Sequence, residues 1–219
     1  MKKFNYVPVE IKANLETKEI DGKRFYVTES GSAFPSVTTV TGWEKRAFFA
    51  EWRRKNPDES KRVLRRGTRF HSMVETYLKN EPIIQSEYTP KEYYLFCQFK
   101  PLLEHVDNIH ALETAMYSNL LNLAGRVDCI AEYDGVLSVI DFKTCTAEKE
   151  KKDIHDYFVQ ATAYAIMFKE LTGIPVKQIV ILLNGEDGST ASHTENPIRF
   201  TKSLKISIDK FLEHSRTNK

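Results

Sequence analysis

An α/β fold, with a mixed β-sheet flanked by helices, is the class that three features of this 219-residue sequence predict. Asp134-Gly135 joins two apolar runs, and a two-residue hairpin turn of this type needs positive φ at both positions. An amphipathic segment at 153–172 follows, with apolar residues at helical spacing. The apolar run at 177–184 then reads as a strand buried on both faces, and a helical crossover before it allows parallel pairing with an earlier strand.

Helix caps, turn residues and apolar periodicity predict the other helices and strands, taken in chain order. The first predicted element is a strand at 23–28, and a helix from about Val37 or Trp43 to Lys55 follows it. A second helix is predicted from Asp58 or Ser60 to about Lys79, with a possible interruption at Gly67, and a third from Pro90 to Val106. Three strands are then predicted at 109–118, 123–133 and 136–143. After the helix at 153–172, with its stop at Gly173, come the strand at 177–184, a polar loop at 185–197 and a helix at 202–214. The order predicts a sheet of four strands or slightly more, behind an N-terminal helical region.

The length of the chain is suited to one domain with a substantial core. Within residues 1–219 we expect three parts: an N-terminal strand and helical part at 1–106, a β-β-β-α-β core at 107–185, and a C-terminal loop and helix at 186–219.

Composition excludes several classes of protein. The net charge is only +2, so affinity for a polyanion has to come from a local patch. Three scattered cysteines form no metal-binding motif and indicate a reducing compartment. The N-terminus MKKFNYVPVEIK lacks the features of a secretory or mitochondrial leader, and no apolar run approaches a membrane span of about 20 residues. A cytoplasmic protein is expected, and no phosphate-binding loop, GxSxG, HExxH or zinc-finger motif is present.

The hairpin brings two carboxylates together. If Tyr133 faces Val136, cross-strand partners place Asp128 opposite Asp141, and Lys143 shares the face of Asp141. Opposed Cβ atoms lie roughly 5 Å apart, where like charges repel unless something lies between them. A divalent cation held by both carboxylates is one interpretation. The alternative is a solvated aspartate pair that is screened by Lys143.

Three further groups could contribute to a site. His71 and Glu75 lie on one face of the second predicted helix, where His71 is either a further metal ligand or half of a solvated pair with Glu75. Glu113 lies in the strand before the hairpin and is either a third inward carboxylate or an exposed glutamate. Gln160 and Tyr164 lie four residues apart on the helix after the hairpin, where an ordinary surface pair is the simpler interpretation.

Residues 43–71 form a basic segment with ten lysines and arginines against four acidic residues. Its interleaved aromatic residues are Trp43, Phe48, Phe49, Trp52 and Phe70. Arginines for phosphates and aromatic rings for base stacking are typical of single-strand binding. The alternative is a set of amphipathic helices whose aromatics face the core and whose charges are solvated. Most of these aromatics are expected to lie in the core, and the charge excess still favours a polyanion partner.

These motifs resemble the PD-(D/E)XK nuclease superfamily, and within it the RecB-like branch with motifs GxxD, DxKT and QxxxY. The matching residues are Asp128, Asp141 with Lys143 and Thr144, and Gln160 with Tyr164. The stretches PSVT at 35–38, GTRFHSMVE at 67–75, ALETA at 111–115 and 125–144 are similar to a mitochondrial exonuclease and its phage and bacterial relatives within that branch. The resemblance covers about residues 30–185.

The resemblance implies a restriction-endonuclease-like core and a DNA nuclease that depends on one or two Mg²⁺ or Mn²⁺ ions. It implies metal ligands at His71, Asp128, Asp141 and the Phe142 backbone carbonyl, a catalytic lysine at Lys143 and a catalytic acid at Glu113. It implies DNA contacts at Gln160, Tyr164, Thr144, Arg66, Arg69 and Arg126. No iron–sulfur cluster is expected, since three scattered cysteines cannot supply the four that some relatives use.

An exonuclease on single-stranded DNA ends is therefore the leading hypothesis for function. A flap or junction endonuclease with the same site, or a binding module without catalysis, stays open. Replication or recombination proteins are possible partners, and a bacterial protein or one in a phage-infected cell is expected.

Overall fold

The computed structural model describes residues 2–20, 22–146 and 149–217. Its strands are β1 (Leu15–Ile20), β2 (Lys23–Thr28), β3 (Ala33–Pro35), β4 (Val106–Ser118), β5 (Leu123–Tyr133), β6 (Val136–Cys145), β7 (Gln178–Gly185) and β8 (Thr190–Glu195). Its α-helices are α1 (Val37–Thr41), α2 (Arg46–Lys55), α3 (Pro57–Leu78), α4 (Pro90–Leu103), α5 (His155–Thr172) and α6 (Thr201–Thr217).

A five-stranded mixed sheet in the order β4-β5-β6-β7-β8 forms the centre of the molecule. Its neighbours pair antiparallel except β6 and β7, which are parallel and are joined through α5. The predicted fold class and the parallel crossover strand are confirmed. The predicted loop at 185–197 is wrong, because Thr190–Glu195 forms the edge strand β8. A strand that pairs on one side and is otherwise half-exposed can be entirely polar, so it leaves no apolar run to detect.

The hairpin between β5 and β6 has the predicted turn and register. Asp134 and Gly135 have φ of 50° and 76°, as a type I′ turn requires. The cross-strand pairs run from Tyr133 with Val136 to Cys129 with Ile140. This paired ladder ends one step before Asp128 and Asp141, at the end of the sheet that carries the candidate site.

Two helical layers cover the sheet. On one face α5 packs its apolar residues, including Phe158 and Phe168, into the larger core cluster. On the other face α3 and α4 pack residues such as Phe70 and Phe99 against Phe142 of β6. The end of the sheet that carries Asp128 and Asp141 therefore lies between α3 and α5.

The N-terminal part contains a three-stranded antiparallel sheet, β1-β2-β3, in which the sequence analysis found only β2. The first predicted helix is divided at Gly42 into α1 and α2, and α1 begins at Val37 with Ser36 as its cap. The expected cap at Asp58 or Ser60 is wrong, because α3 begins at Pro57, where proline is tolerated in the first turn. The expected interruption at Gly67 is absent from α3, which is continuous through that residue.

Strand β4 differs from its prediction in two ways. It begins at Val106, and α4 ends at Leu103 instead of reaching Val106. The pairing of β4 with β5 shifts between Asp107 and Ala111, which is a bulge. Across the described ranges, no helix is both long enough and apolar enough to cross a bilayer.

Candidate active site and metal centre

Three neighbouring strands each carry one carboxylate to the same end of the sheet. In β4, Leu112 and Thr114 pair with Cys129 and Val127, which places Glu113 beside Asp128. Asp128 in turn lies next to Asp141, one step beyond the paired ladder of β5 and β6. The sequence register thus brings these acids together in a row across the sheet.

Helix α3 adds an imidazole to this row. His71 Nδ1 lies 3.7 Å from Glu113 Oε1 and 3.8 Å from Asp128 Oδ1. One ligand atom from each of these three residues lies within 4.8 Å of the others. Two carboxylate oxygens and one imidazole nitrogen, converging in a partly buried space, form a donor set that suits Mg²⁺ or Mn²⁺.

Asp141 is the most buried acid of the group, with 2% of its surface exposed. Its Oδ1 accepts a 2.7 Å hydrogen bond from Lys143 Nζ, while its Oδ2 has no hydrogen-bond partner among the described residues. A buried carboxylate oxygen without a partner is costly unless a cation or donor satisfies it. The residues present therefore fit a divalent cation.

Asp128 serves both the backbone and the site. Its Oδ2 accepts a 2.9 Å hydrogen bond from the backbone N–H of Phe142, at the point where the paired ladder of β5 and β6 has ended. Its Oδ1 is the oxygen closer to His71. The Phe142 amide thus holds one oxygen of Asp128 in place while the other faces the candidate ligands.

The electrostatics of the site follow from burial beside charged neighbours. Burial raises the pKa of Asp141 to about 6, even though Lys143 opposes the shift. Burial also raises the pKa of Asp128. For Lys143 and His71, burial alone would lower the pKa, but the adjacent carboxylates outweigh it and the pKa of each is raised.

We expect the metal-free protein to lose stability as the pH rises from about 4 to about 7. The folded pKa of Asp141 is about 6, above the ordinary value of 3.8, so in this window the folded state keeps a proton that the unfolded chain has released. A difference of about two units corresponds to about 3 kcal/mol of unfolding free energy. Urea unfolding in EDTA from pH 4 to pH 7 measures it, with Asp141→Asn as the control.

In that experiment, the unfolding free energy of wild type relative to Asp141→Asn should fall as the pH rises. A relative stability that stays constant across the window would show that Asp141 is not held in the protonated form. Adding Mg²⁺ at pH 7 should raise the unfolding free energy of the wild-type protein again, because a ligand that binds only the folded state stabilises it.

Glu113 has a backbone conformation that is unusual for a strand residue. Its φ is 46°, in the left-handed region that a non-glycine residue seldom adopts. Such conformations cost of order 1–3 kcal/mol and are concentrated at functional sites. Here the conformation accompanies a side chain that lies against His71.

Tyr164 lies beneath the row of acids, and 2% of its surface is exposed. Its ring contacts the backbone of β5 at Gly125, where an added Cβ would lie 2.9 Å from Tyr164 Cε1 and Oη. Burial, together with the charges of Asp128 and Asp141, raises the pKa of Tyr164 well above its ordinary value, and the Gln160 side chain opposes this shift. The tyrosine of QxxxY thus packs on the glycine of GxxD, and a DNA contact by Tyr164 or Gln160 stays a prediction.

The other predicted DNA contacts lie in different environments. Arg126 is exposed on β5, two residues from Asp128 and on the same face of the strand. Arg66 forms an ion pair with Glu186, and Arg69 Nε lies 2.9 Å from Glu92 Oε1. These two arginines are thus engaged within the protein.

The side chains of Thr144 and Phe142 point toward α3, on the opposite face of β6 from Asp141 and Lys143. Phe142 packs its side chain beside Phe99 and His71, and Thr144 lines a small cavity that it shares with Arg66. The structure assigns no ligand to the Phe142 carbonyl or to Thr144, so both assignments stay predictions.

Tyr157 is a residue that the sequence analysis missed. The Lys143 ammonium group lies 5.3 Å from the centre of its ring, a cation–π distance. Tyr157, Gln160 and Tyr164 follow one another at three and four residues along α5, so they share one helical face. Extending the spacing of Gln160 and Tyr164 by one helical turn toward the N-terminus would have identified Tyr157 from the sequence.

The aromatic residues of the basic segment divide between core and surface. Phe70 is buried, but α2 has no buried residue, and its Phe48 and Phe49 are 67% and 45% exposed. The expectation that most of these rings lie in the core is therefore wrong for Phe48 and Phe49.

Carboxylates on adjacent strands, a lysine beside them and an imidazole from a helix are groups that fit a divalent cation and that metal-assisted hydrolysis uses. The family model described as the PD-(D/E)XK nuclease superfamily matches residues 93–201. The chain belongs to the PD-(D/E)XK nuclease superfamily, as its motifs predict.

Two relatives of this chain are longer than the chain itself. The mitochondrial genome maintenance exonuclease 1 of Homo sapiens is 31% identical over 186 residues, covering 73% of this chain and 52% of that protein. The protein of the same name in Mus musculus is 30% identical over 179 residues, with the same coverage. The chain thus spans about half the length of these relatives. A solved structure titled "Crystal structure of SSO0001" aligns with a TM-score of 0.41 at 14% identity, covering 79% of this chain and 74% of that one.

Proposed function

We propose that this chain is a Mg²⁺- or Mn²⁺-dependent DNA nuclease that hydrolyses phosphodiester bonds as an exonuclease on single-stranded ends. The observation that carries the proposal is the convergence of His71, Glu113 and Asp128 beside the buried pair of Asp141 and Lys143. The exonuclease names of the relatives, each only half covered, agree with it.

The residues that would hold a divalent ion are His71, Glu113, Asp128 and Asp141. Such an ion supplies Lewis acidity and lowers the pKa of a bound water, which generates a nucleophile near neutral pH. The four side chains come from α3, β4, β5 and β6, so rigid elements fix their positions relative to one another.

Lys143 provides the positive charge that the chain itself brings to the reaction. Hydrolysis of a phosphodiester builds negative charge on the phosphate oxygens, and a preorganised cation in a partly buried site stabilises that charge. The raised pKa of Lys143 keeps the amine protonated at neutral pH. Asp141 and the ring of Tyr157 hold the ammonium group, and the exposed Arg126 lies where the flanking phosphate can approach.

The test is digestion of an end-labelled single-stranded oligonucleotide beside a covalently closed single-stranded circle, in Mg²⁺, Mn²⁺ or EDTA. We expect loss of the linear strand only, and no cleavage in EDTA. Cutting of the circle would make the protein an endonuclease. Cleavage that persists in EDTA would contradict metal dependence, and binding without cleavage in any metal would favour the binding-module alternative.

The cellular setting is part of the proposal. A cytoplasmic enzyme of a bacterium or a phage-infected cell, with partners in DNA replication or recombination, agrees with the three free cysteines, which are typical of a reducing compartment.

A further inference from the structure

Helix α3 contains a glycine at a position where the fold does not require one. Gly67 lies in the middle of the 22-residue helix and is absent from the residues with positive φ. Glycine inside a helix is less stable than alanine by about 1 kcal/mol. Gly67 therefore lowers the stability of the helix, although the backbone conformation at this position does not require glycine.

Packing does not require the glycine either. An added Cβ at Gly67 would meet Thr144 Oγ1 at 3.9 Å, which is ordinary van der Waals contact. At Gly125, by contrast, an added Cβ would lie 2.9 Å from atoms of Tyr164. The folded chain thus has room for a side chain at Gly67 and none at Gly125.

The open space over Gly67 belongs to the candidate active site. Gly67 lines a cavity of about 530 Å³ together with Leu64, Thr68, His71 and Glu113. His71 follows Gly67 by four residues, so the two lie on one face of α3, one helical turn apart. A group that lies against the helix at Gly67 is therefore adjacent to the ligand His71.

A second cleft adjoins this cavity at Leu64, on the basic side of the molecule. It has a volume of about 670 Å³ and shares Leu64 with the first cavity. Arg24, Arg46 and Arg53 line it, with the exposed ring of Phe49. Arginines and an exposed ring favour a nucleic-acid strand as the occupant of this cleft and of the adjoining cavity that contains His71.

We infer that Gly67 is a positioning residue for substrate: its missing side chain lets the sugar-phosphate backbone of one DNA strand lie directly on α3, next to the bond that is cleaved. The inference rests on the proposed nuclease function. A side chain at this position would stand between the strand and the helix and would hold the phosphate away from His71.

The test compares Gly67→Ala and Gly67→Leu with wild type in thermal unfolding, in steady-state cleavage of a single-stranded oligonucleotide, and in binding. Binding is measured by fluorescence anisotropy of a labelled oligonucleotide in Mn²⁺, with every protein also carrying Lys143→Ala to prevent cleavage. Thr76→Ala is the matched control, because it also raises helix propensity on α3 and lies outside the cavity lining.

We expect Gly67→Ala to unfold at the wild-type temperature or a few degrees above it, as Thr76→Ala should. We expect its KM and its Kd for the oligonucleotide to rise about tenfold, and those of Gly67→Leu to rise further, while Thr76→Ala leaves both unchanged. A merely structural role for Gly67 would lower the unfolding temperature instead.

Two results would overturn the inference. One is a Gly67→Ala protein that is clearly less stable than wild type, since the fold would then need the glycine. The other is wild-type KM and Kd in both Gly67 variants, with wild-type protein cleaving DNA normally; this would refute the inference and leave the proposed function intact. If wild-type protein neither binds nor cleaves DNA in Mn²⁺, the proposed function and the inference fail together.

Discussion

Replacing Lys143 with methionine should reduce DNA cleavage by at least about 100-fold, the scale of losing one preorganised charge-stabilising group. The ammonium group lies 2.7 Å from Asp141 Oδ1 at the edge of the ligand cluster, and methionine keeps most of the volume of the side chain without its charge. The rate of cleavage under single-turnover conditions measures the loss. Lys143→Met cleaving at the wild-type rate would contradict the catalytic role.

The same substitution should also destabilise the metal-free protein. It leaves the buried Asp141 carboxylate without its cation, and breaking a buried pair in this way typically costs about 3–5 kcal/mol. The loss should be smaller at pH 5 than at pH 8, because Asp141 can be neutralised by protonation. Combining Lys143→Met with Asp141→Asn should recover stability without recovering cleavage, which separates the two roles of the lysine.

Replacing Gly125 with alanine should destabilise the fold and impair the site together. The new Cβ would lie 2.9 Å from two atoms of Tyr164, a buried ring that has little room to move. Overpacking of this kind costs about 1–3 kcal/mol, and each kcal/mol lowers the melting temperature by roughly 2–4 °C in a chain of this size. Thermal unfolding measures the effect.

Cleavage should fall in the same variant, because Asp128 lies three residues from Gly125 on β5. A small displacement of a catalytic group can cost about 100-fold in rate. Adding Tyr164→Leu to Gly125→Ala should relieve the clash and recover part of the stability. A Gly125→Ala protein as stable and active as wild type would contradict the contact between the GxxD glycine and the QxxxY tyrosine.

The hairpin was predictable because its signal is local. Asp134-Gly135 sets the turn, and the turn sets the pairing as far as Cys129 with Ile140, which carries Asp128 and Asp141 to one end of the sheet. The helix stop at Gly173 was predictable for the same reason, since its φ of 76° is one that glycine adopts at no steric cost.

Features that depend on distant partners were not predictable in this way. His71 approaches Glu113 and Asp128 only because α3 packs across the sheet, which no spacing in the sequence encodes. Arg66 and Arg69 resemble free basic residues in the sequence, yet Glu186 and Glu92 pair with them in the folded chain. Such pairings depend on tertiary contacts between residues far apart in sequence.

Strands β1 and β8 were missed because their sequences carry no apolar pattern. LETKEI and TASHTE are edge strands with mostly polar side chains that are exposed in the first and largely half-buried in the second, so backbone pairing with β2 and β7 stabilises them. Edge strands of this composition also resist pairing with other molecules.

The measurement that tests the central claim most directly is Mn²⁺ binding to DNA-free protein by titration calorimetry, with Asp128→Asn beside wild type. We predict that wild type binds Mn²⁺, and that the substitution abolishes binding or weakens it at least tenfold while the protein stays folded. Equal affinity in the two proteins, or no Mn²⁺ binding by wild type, would contradict a divalent metal centre at His71, Glu113, Asp128 and Asp141.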